Sequence, residues 1–310
     1  GMRTREEDFV SHLFVASSHA YIMIFSDRGR AYWLKVHEIP DAAAGGKGKA
    51  IANLVNMQEG EKIAALLAVK EFPTADEQQF VVMGTCKGLV KKTDLSLYSN
   101  PRAGGIIAML VEDGDAVIAA EMSDGNEQIF IGTRGGMAIR FDETDVRTMG
   151  RTTYGVRGVS LRDGDEVVAM EVVREGGTLL TVAQNGYGKR TELAEYRLQS
   201  RGGIGLINIQ TSDRNGKVVG IAYVHDQDDE VMIISQQGMI LRTRAGDIRT
   251  IGRATQGVRL IEMEEGDEVV AIAKLADREA ENGGEPEPGV EPQAGPEPEG
   301  DLPPPESSTE

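Results

Sequence analysis

The sequence predicts an all-β protein built as a closed ring of repeated blades, and three recurring landmarks carry that prediction. The first is an apolar run, a turn ending in glycine and a returning run, seen at Ser26-Asp27-Arg28-Gly29, Thr85-Cys86-Lys87-Gly88, Thr133-Arg134-Gly135-Gly136, Ala183-Gln184-Asn185-Gly186 and Ser235-Gln236-Gln237-Gly238. The turn glycines fall at 29, 88, 136, 186 and 238, a period near fifty residues, and self-similarity at such a period marks a repeat architecture rather than independent domains. The second is an acidic turn before a β-branched run, whose glycines at 60, 114, 164, 216 and 266 keep nearly the same step. Between these lies the third, a basic, glycine-bearing segment: Gly45-Gly46-Lys47-Gly48, Arg102-Ala103-Gly104-Gly105, Arg151-Thr152-Thr153-Tyr154-Gly155, Arg201-Gly202-Gly203-Ile204-Gly205 and Arg253-Ala254-Thr255-Gln256-Gly257.

The chain opens in mid-repeat, because Glu6-Glu7-Asp8-Phe9-Val10 aligns with Glu112-Asp113-Gly114-Asp115-Ala116-Val117. Five full hairpins plus this half-repeat imply six blades, the first truncated. The apolar runs Phe80-Val81-Val82-Met83, Gln128-Ile129-Phe130-Ile131, Leu179-Leu180-Thr181-Val182 and Val231-Met232-Ile233-Ile234 are short, bounded by turn residues, and continuous rather than alternating. Strands covered on both faces read this way, as radially stacked blades require. No sustained helical period appears; Asp41 to Ala44 is too short to count as one.

Residues 277–310 break the pattern. They hold eleven acidic residues against one basic, and eight of the eleven prolines, so a net charge of −17 divides into −10 in this stretch and −7 in the body. Such composition predicts a disordered acidic tail after a ring domain at 1–276. The lone Cys86 excludes an internal disulfide and fits a reducing cytoplasm. No apolar stretch reaches the ~20 residues of a membrane helix, and no secretory pattern opens the chain.

The returning strands carry the candidate chemistry. Four residues past successive turn glycines stand Trp33, Lys92, Arg140, Arg190 and Arg242, so a cation recurs at one place on blade after blade. Because side chains alternate along a strand, Arg140 is expected on the face opposite Met137, Ile139 and Phe141. Beside this row stand Arg30, Lys35, Lys91, Arg134, Lys189 and Arg244, and the basic segments add Lys47, Lys49, Arg102, Arg151, Arg157, Arg201, Arg253 and Arg259. A repeated cation predicts an exposed basic track around a rim. Such a track suits duplex DNA, whose phosphates Lys and Arg neutralise with release of counterions. Base-reading residues do not recur beside the cations, so binding through phosphates and DNA deformability is expected.

The remaining motifs point to no catalysis. The four histidines occupy unrelated repeat positions, and one cysteine permits no zinc spacing. The acidic turns lack a calcium-loop ligand series and are expected as solvated loops. Gly45-Gly46-Lys47-Gly48-Lys49 lacks the Ser or Thr of a phosphate-binding loop. Trp33 is expected to pack between blades.

Three stretches, Phe25-Ser26-Asp27-Arg28-Gly29-Arg30-Ala31-Tyr32-Trp33-Leu34-Lys35-Val36, Thr181 to Thr191 and Gly252-Arg253-Ala254-Thr255-Gln256-Gly257-Val258, closely resemble the family of C-terminal domains of bacterial DNA gyrase A, over about residues 5–276. The resemblance implies a six-bladed β-pinwheel with four-stranded blades, each sharing a strand with its neighbour, and duplex DNA wrapped on the basic rim. It further implies a place in a bacterial, ATP-hydrolysing type IIA topoisomerase that supercoils DNA negatively, with the N-terminal cleavage region of the same polypeptide and the gyrase B protein as partners. It assigns this stretch no cofactor, metal or catalytic residue and a monomeric state in isolation. The family's signature box, Gln-Arg-Arg-Gly-Gly-Lys-Gly, is expected upstream of Gly1; Gln199-Ser200-Arg201-Gly202-Gly203-Ile204-Gly205 is a degenerate copy that loses one Arg and the Lys. Two alternatives stay open: the related C-terminal domain of topoisomerase IV, and a protein-interaction propeller. The acidic tail is expected to compete with phosphates for the rim as an intramolecular brake.

Overall fold

The computed structural model describes residues 19–40, 51, 54–73 and 77–275. Within them the chain folds into five antiparallel sheets, four of four strands and one of three. In each blade the central hairpin is the one read from the turn glycines: Tyr21–Ser26 with Arg30–Lys35, Phe80–Thr85 with Leu89–Asp94, Gln128–Thr133 with Met137–Asp142, Thr178–Ala183 with Tyr187–Glu192, and Glu230–Ser235 with Ile240–Arg244. An inner strand follows each hairpin and pairs with its first strand: Ile63–Val69, Val117–Ser123, Val167–Val173, Val218–Val224 and Val269–Lys274.

In the four four-stranded blades the outermost strand comes from the following repeat. Ile106–Ile107 pairs with Arg30–Lys35, Val156–Arg157 with Leu89–Asp94, Leu206–Ile207 with Met137–Asp142, and Val258–Arg259 with Tyr187–Glu192. Consecutive blades are therefore laced together by backbone hydrogen bonds. Five blades are described rather than the six expected. The residues assigned to the truncated blade, like the acidic tail, the basic segment 45–49 and the stretch from Asp41 to Ala44, lie outside the described residues.

The turn glycines are required by backbone geometry. Gly29, Gly88, Gly136, Gly186 and Gly238 all have φ between 78° and 91°, a region that side chains with a Cβ rarely enter. At Gly136 a Cβ would also stand 2.3 Å from the Ile209 carbonyl oxygen. That crowding is functional within the fold: the carbonyls of Gly29, Gly88, Gly136 and Gly186 accept from the amides of Ala108, Gly158, Asn208 and Leu260 in the next repeat.

The acidic turns keep the same period for a related reason. Asp115 Oδ1 accepts from the Lys87 amide at 2.9 Å, Asp165 Oδ1 from Gly135 at 2.7 Å and Asp267 Oδ1 from Gln237 at 3.0 Å. These carboxylates cap the hairpin turns instead of standing free as solvated loops, so two landmarks distant in sequence are bonded in space.

Packing explains the unbroken apolar runs. Every residue of Phe80–Thr85 and of Thr178–Ala183 is buried, because these strands are covered on both faces by neighbouring blades, whereas Ile240–Arg244 in the last described blade has no buried residue. Val82, Ile129, Ile131, Ile139 and Phe141, from two adjacent blades, share one core cluster. Trp33 packs beside Tyr98 of the next blade, ring centroids 6.4 Å apart, as expected of a blade-packing aromatic. The five inner strands line one axial cavity of about 410 Å3.

Candidate nucleic-acid interface

The row four residues past the turn glycines is buried in three blades, which corrects the expectation of an exposed track. Lys92 is 5% exposed, Arg140 5% and Arg190 8%. Alternation along the strand places them opposite their apolar neighbours, but the opposite face is also covered by a blade. Each cation instead reaches a short 3-10 turn of the next repeat. Lys92 Nζ donates to the Glu143 carbonyl at 3.1 Å and lies 3.4 Å from its carboxylate. Arg140 donates to the carbonyls of Leu193 and Tyr196, both at 3.1 Å, and Arg190 Nε to that of Ile248 at 2.8 Å.

The residues one position earlier follow the same rule. Lys91 and Lys189 are fully buried. Lys91 Nζ donates to the Ala108 carbonyl at 2.6 Å and to that of Arg151; Lys189 Nζ donates to Gly252 at 2.7 Å and to Arg253. Burial, with the nearby Arg151 charge, lowers Lys91 to about 7, and burial lowers Lys189 to about 8. These five cations are staples that hold the following repeat's turn and basic segment, and their positions give them no path to a phosphate outside.

What they hold is an exposed row that the sequence reading missed. Arg147, Arg197 and Arg249 each follow the buried residue that closes the stapled turn, namely Val146, Tyr196 and Ile248. All three arginines are exposed. The signal was present in the sequence, since each lies eleven residues past its turn glycine at 136, 186 or 238.

Three of the described basic segments share a geometry. Arg151 Nη1 donates to the Ile107 carbonyl at 3.0 Å, Arg201 Nη1 to Arg157 at 3.0 Å and Arg253 Nη1 to Ile207 at 2.8 Å. Each guanidinium thus clips its segment to the end of the preceding repeat's outer strand, and Arg201 Nε also donates to the Asp145 carbonyl. Arg102, Arg157, Arg201 and Arg259 are exposed, and Arg151 and Arg253 half-buried. Arg259 donates to the Tyr187 hydroxyl at 3.1 Å, and the Arg214 and Arg259 guanidinium groups lie 4.9 and 5.5 Å from that ring's centroid. Hydrogen bonds from Arg214 and Arg259 lower the Tyr187 pKa.

The other candidates are scattered. Lys35 is exposed. Arg30 is tied to the Gly104 carbonyl at 2.6 Å, Arg134 is paired with Glu166 at 2.9 Å, Arg242 with Glu230, and Arg244 with Asp228 at 3.8 Å. Lys47 and Lys49 lie outside the described residues. Asp124, Glu127 and Glu143 stand at metal-ligand spacing, but the Glu143 carboxylate already accepts from Ser123 and the Glu127 amide, and Glu127 pairs with Arg174. That cluster is an internal polar network.

A propeller of strand-sharing blades with arginines repeated along its outer edge defines the class, and comparison with known proteins gives the family. The family profile described as "DNA gyrase C-terminal domain, beta-propeller" matches residues 20–70, 79–124, 127–174, 177–225 and 229–276, one match per blade. The chain is 44% identical over 275 residues to the DNA gyrase A protein of Salmonella typhimurium, and 42% identical to that of Escherichia coli K12, in each case over 89% of this chain and 31% of the relative. A solved gyrase A C-terminal domain superposes with a TM-score of 0.74 at 25% identity, covering 88% of this chain and 93% of that one. The C-terminal domain of a DNA topoisomerase IV gives 0.74 at 25% identity over 83% and 79%. The chain belongs to the family of DNA gyrase A C-terminal domains, and it spans about a third of the length of the curated relatives it matches.

Proposed function

We propose that this chain binds duplex DNA without sequence preference and wraps it around the outer edge of the blades. The observation that carries the reading is the equivalent placement of Arg147, Arg197 and Arg249, exposed at one position on three successive blades and set there by the buried Lys92, Arg140 and Arg190. With Arg102, Arg157, Arg201 and Arg259 they offer repeated phosphate contacts along a curved path. Bending stiff DNA costs of order 1–6 kcal/mol per 20–30 base pairs, so only a series of contacts offsets it; one blade would not.

In a whole gyrase, this wrap would present a DNA segment of fixed crossing sense to an ATP-driven strand-passage core formed by the N-terminal cleavage region with the gyrase B protein, in the bacterial cytoplasm. A sixth blade would complete the ring, and the acidic residues 277–310 would act as a charge brake on it.

The test is topological. Relaxed plasmid is incubated with the chain, relaxed again by a type I topoisomerase, freed of protein and read for linking number. A shift towards positive linking supports chiral wrapping; no shift despite salt-sensitive binding overturns wrapping and leaves a straight DNA-binding edge. Absence of any duplex binding favours a protein-interaction propeller.

A further inference from the structure

The tips of the basic segments differ from blade to blade. At the position before the segment's final glycine stand Gly104, Tyr154, Ile204 and Gln256. Ile204 is 54% exposed, the highest value among the exposed large apolar residues described, and Tyr154 is 48% exposed. A single exposed isoleucine on a loose loop would carry no meaning. This one stands on a loop that is fixed from several directions. The Gly202 amide donates to the Gly158 carbonyl at 2.6 Å, the Ser160 amide to Gly203 at 2.9 Å and Ser160 Oγ to Gly202 at 2.8 Å. Gly202 and Gly205 both have φ of 83°, which lets the loop turn sharply on either side of Gly203-Ile204.

Charge surrounds the tip. Arg201 is held in place by Nε donating to the Asp145 carbonyl at 2.9 Å and Nη1 to the Arg157 carbonyl at 3.0 Å, and both Arg157 and Arg201 are exposed. The outer strands add an alternation: their second residue is Ile107, Arg157, Ile207 and Arg259 in successive blades. Ile207, 42% exposed, thus joins Ile204 on one blade, whereas cations occupy the equivalent strand position on the flanking blades. A rigid apolar tip flanked by arginines has the makeup of a side chain that enters the minor groove while its neighbours hold the phosphates.

Resting on the wrapping reading above, we propose that Ile204 is a wedge that enters the minor groove of the wound duplex and partly unstacks one base step, kinking the DNA at this blade. The apolar contact lowers the bending cost locally, and flexible pyrimidine–purine steps are drawn to that point of the path. Wrapping would then be indifferent to overall sequence yet phased.

The experiment uses the full 310-residue chain and a duplex of about 150 base pairs, one persistence length, carrying 2-aminopurine at a central TA step. Wild-type protein is expected to raise its fluorescence severalfold. Ile204→Ser should abolish that rise and weaken binding about three- to tenfold, with the slope of log affinity against log salt unchanged, because no phosphate contact is lost. Ile204→Met, which keeps an apolar tip, should restore both signals. Wild-type affinity and no fluorescence difference in Ile204→Ser, alongside salt-dependent binding, would overturn the wedge while leaving phosphate wrapping in place. Failure of the wild-type chain to bind duplex at all would overturn the wrapping reading itself.

Discussion

Arg140 donates to the carbonyl oxygens of Leu193 and Tyr196, 53 and 56 residues further along the chain, while Arg197 beside them is exposed. One repeat's buried guanidinium therefore fixes the backbone that carries the next repeat's exposed one. Lys92 stands in the same relation to Glu143 before Arg147, and Arg190 to Ile248 before Arg249.

Arg140→Ala should destabilise the fold by about 2–4 kcal/mol, because it leaves buried carbonyls without a donor and opens a cavity between blades. Denaturant unfolding measures the loss. The salt dependence of duplex binding, read well below the unfolding midpoint, should be that of wild type; a reduced slope would return Arg140 to the set of phosphate contacts.

Arg197→Gln should do the opposite. Its side chain is exposed, so stability should stay within about 0.5 kcal/mol. Each phosphate contact removed should flatten the slope of log affinity against log salt by about 0.9, and the triple change at Arg147, Arg197 and Arg249 by about three times that. An unaltered slope in the triple variant would sink the exposed row as the DNA contact.

The axial cavity makes stability depend on pH. Glu171 lies on it, accepting from the Tyr223 amide at 3.1 Å, and desolvation raises its carboxyl to about 7 despite that bond and the Lys274 charge. Glu121 is likewise pushed up by burial and by Glu171. A carboxyl whose pKa is higher folded than unfolded favours the fold fully below its unfolded value, near 4.3, and loses that contribution as pH rises through about 7. Glu171→Gln keeps the acceptor and cannot ionise. Its urea midpoint should exceed wild type at pH 8 and match it at pH 4; equal midpoints at both values would contradict the assignment.

Gly205→Ala tests the shared strand. A Cβ there would stand 2.2 Å from the Ala138 carbonyl oxygen at a φ of 83°, so the Leu206–Ile207 strand should detach from Met137–Asp142 at a cost of about 1–3 kcal/mol. Hydrogen exchange should accelerate at Leu206 and Ile207 before it does in the hairpin strands. Uniform protection would mean the edge can move without losing its pairing.

Much of the fold was legible because its causes are local. Gly29, Gly88, Gly136, Gly186 and Gly238 mark hairpins since only glycine tolerates their backbone angles, and unbroken runs such as Phe80-Val81-Val82-Met83 announce strands covered twice. The sharing of outer strands was implied by the family resemblance and not by the residue pattern: Ile106–Ile107 and Val156–Arg157 are two residues long, and their partners are chosen by where the preceding blade ends.

By itself the sequence determined the repeat, its period, the all-β class and the presence of a cation four residues past four of the five turn glycines. The tertiary structure alone decided which cations meet solvent. Two-residue alternation distinguishes the faces of a strand but not whether a face is covered, and stacked blades cover both. Lys92, Arg140 and Arg190 therefore became internal supports, and Arg147, Arg197 and Arg249, seven residues after Arg140, Arg190 and Arg242 respectively, became the edge.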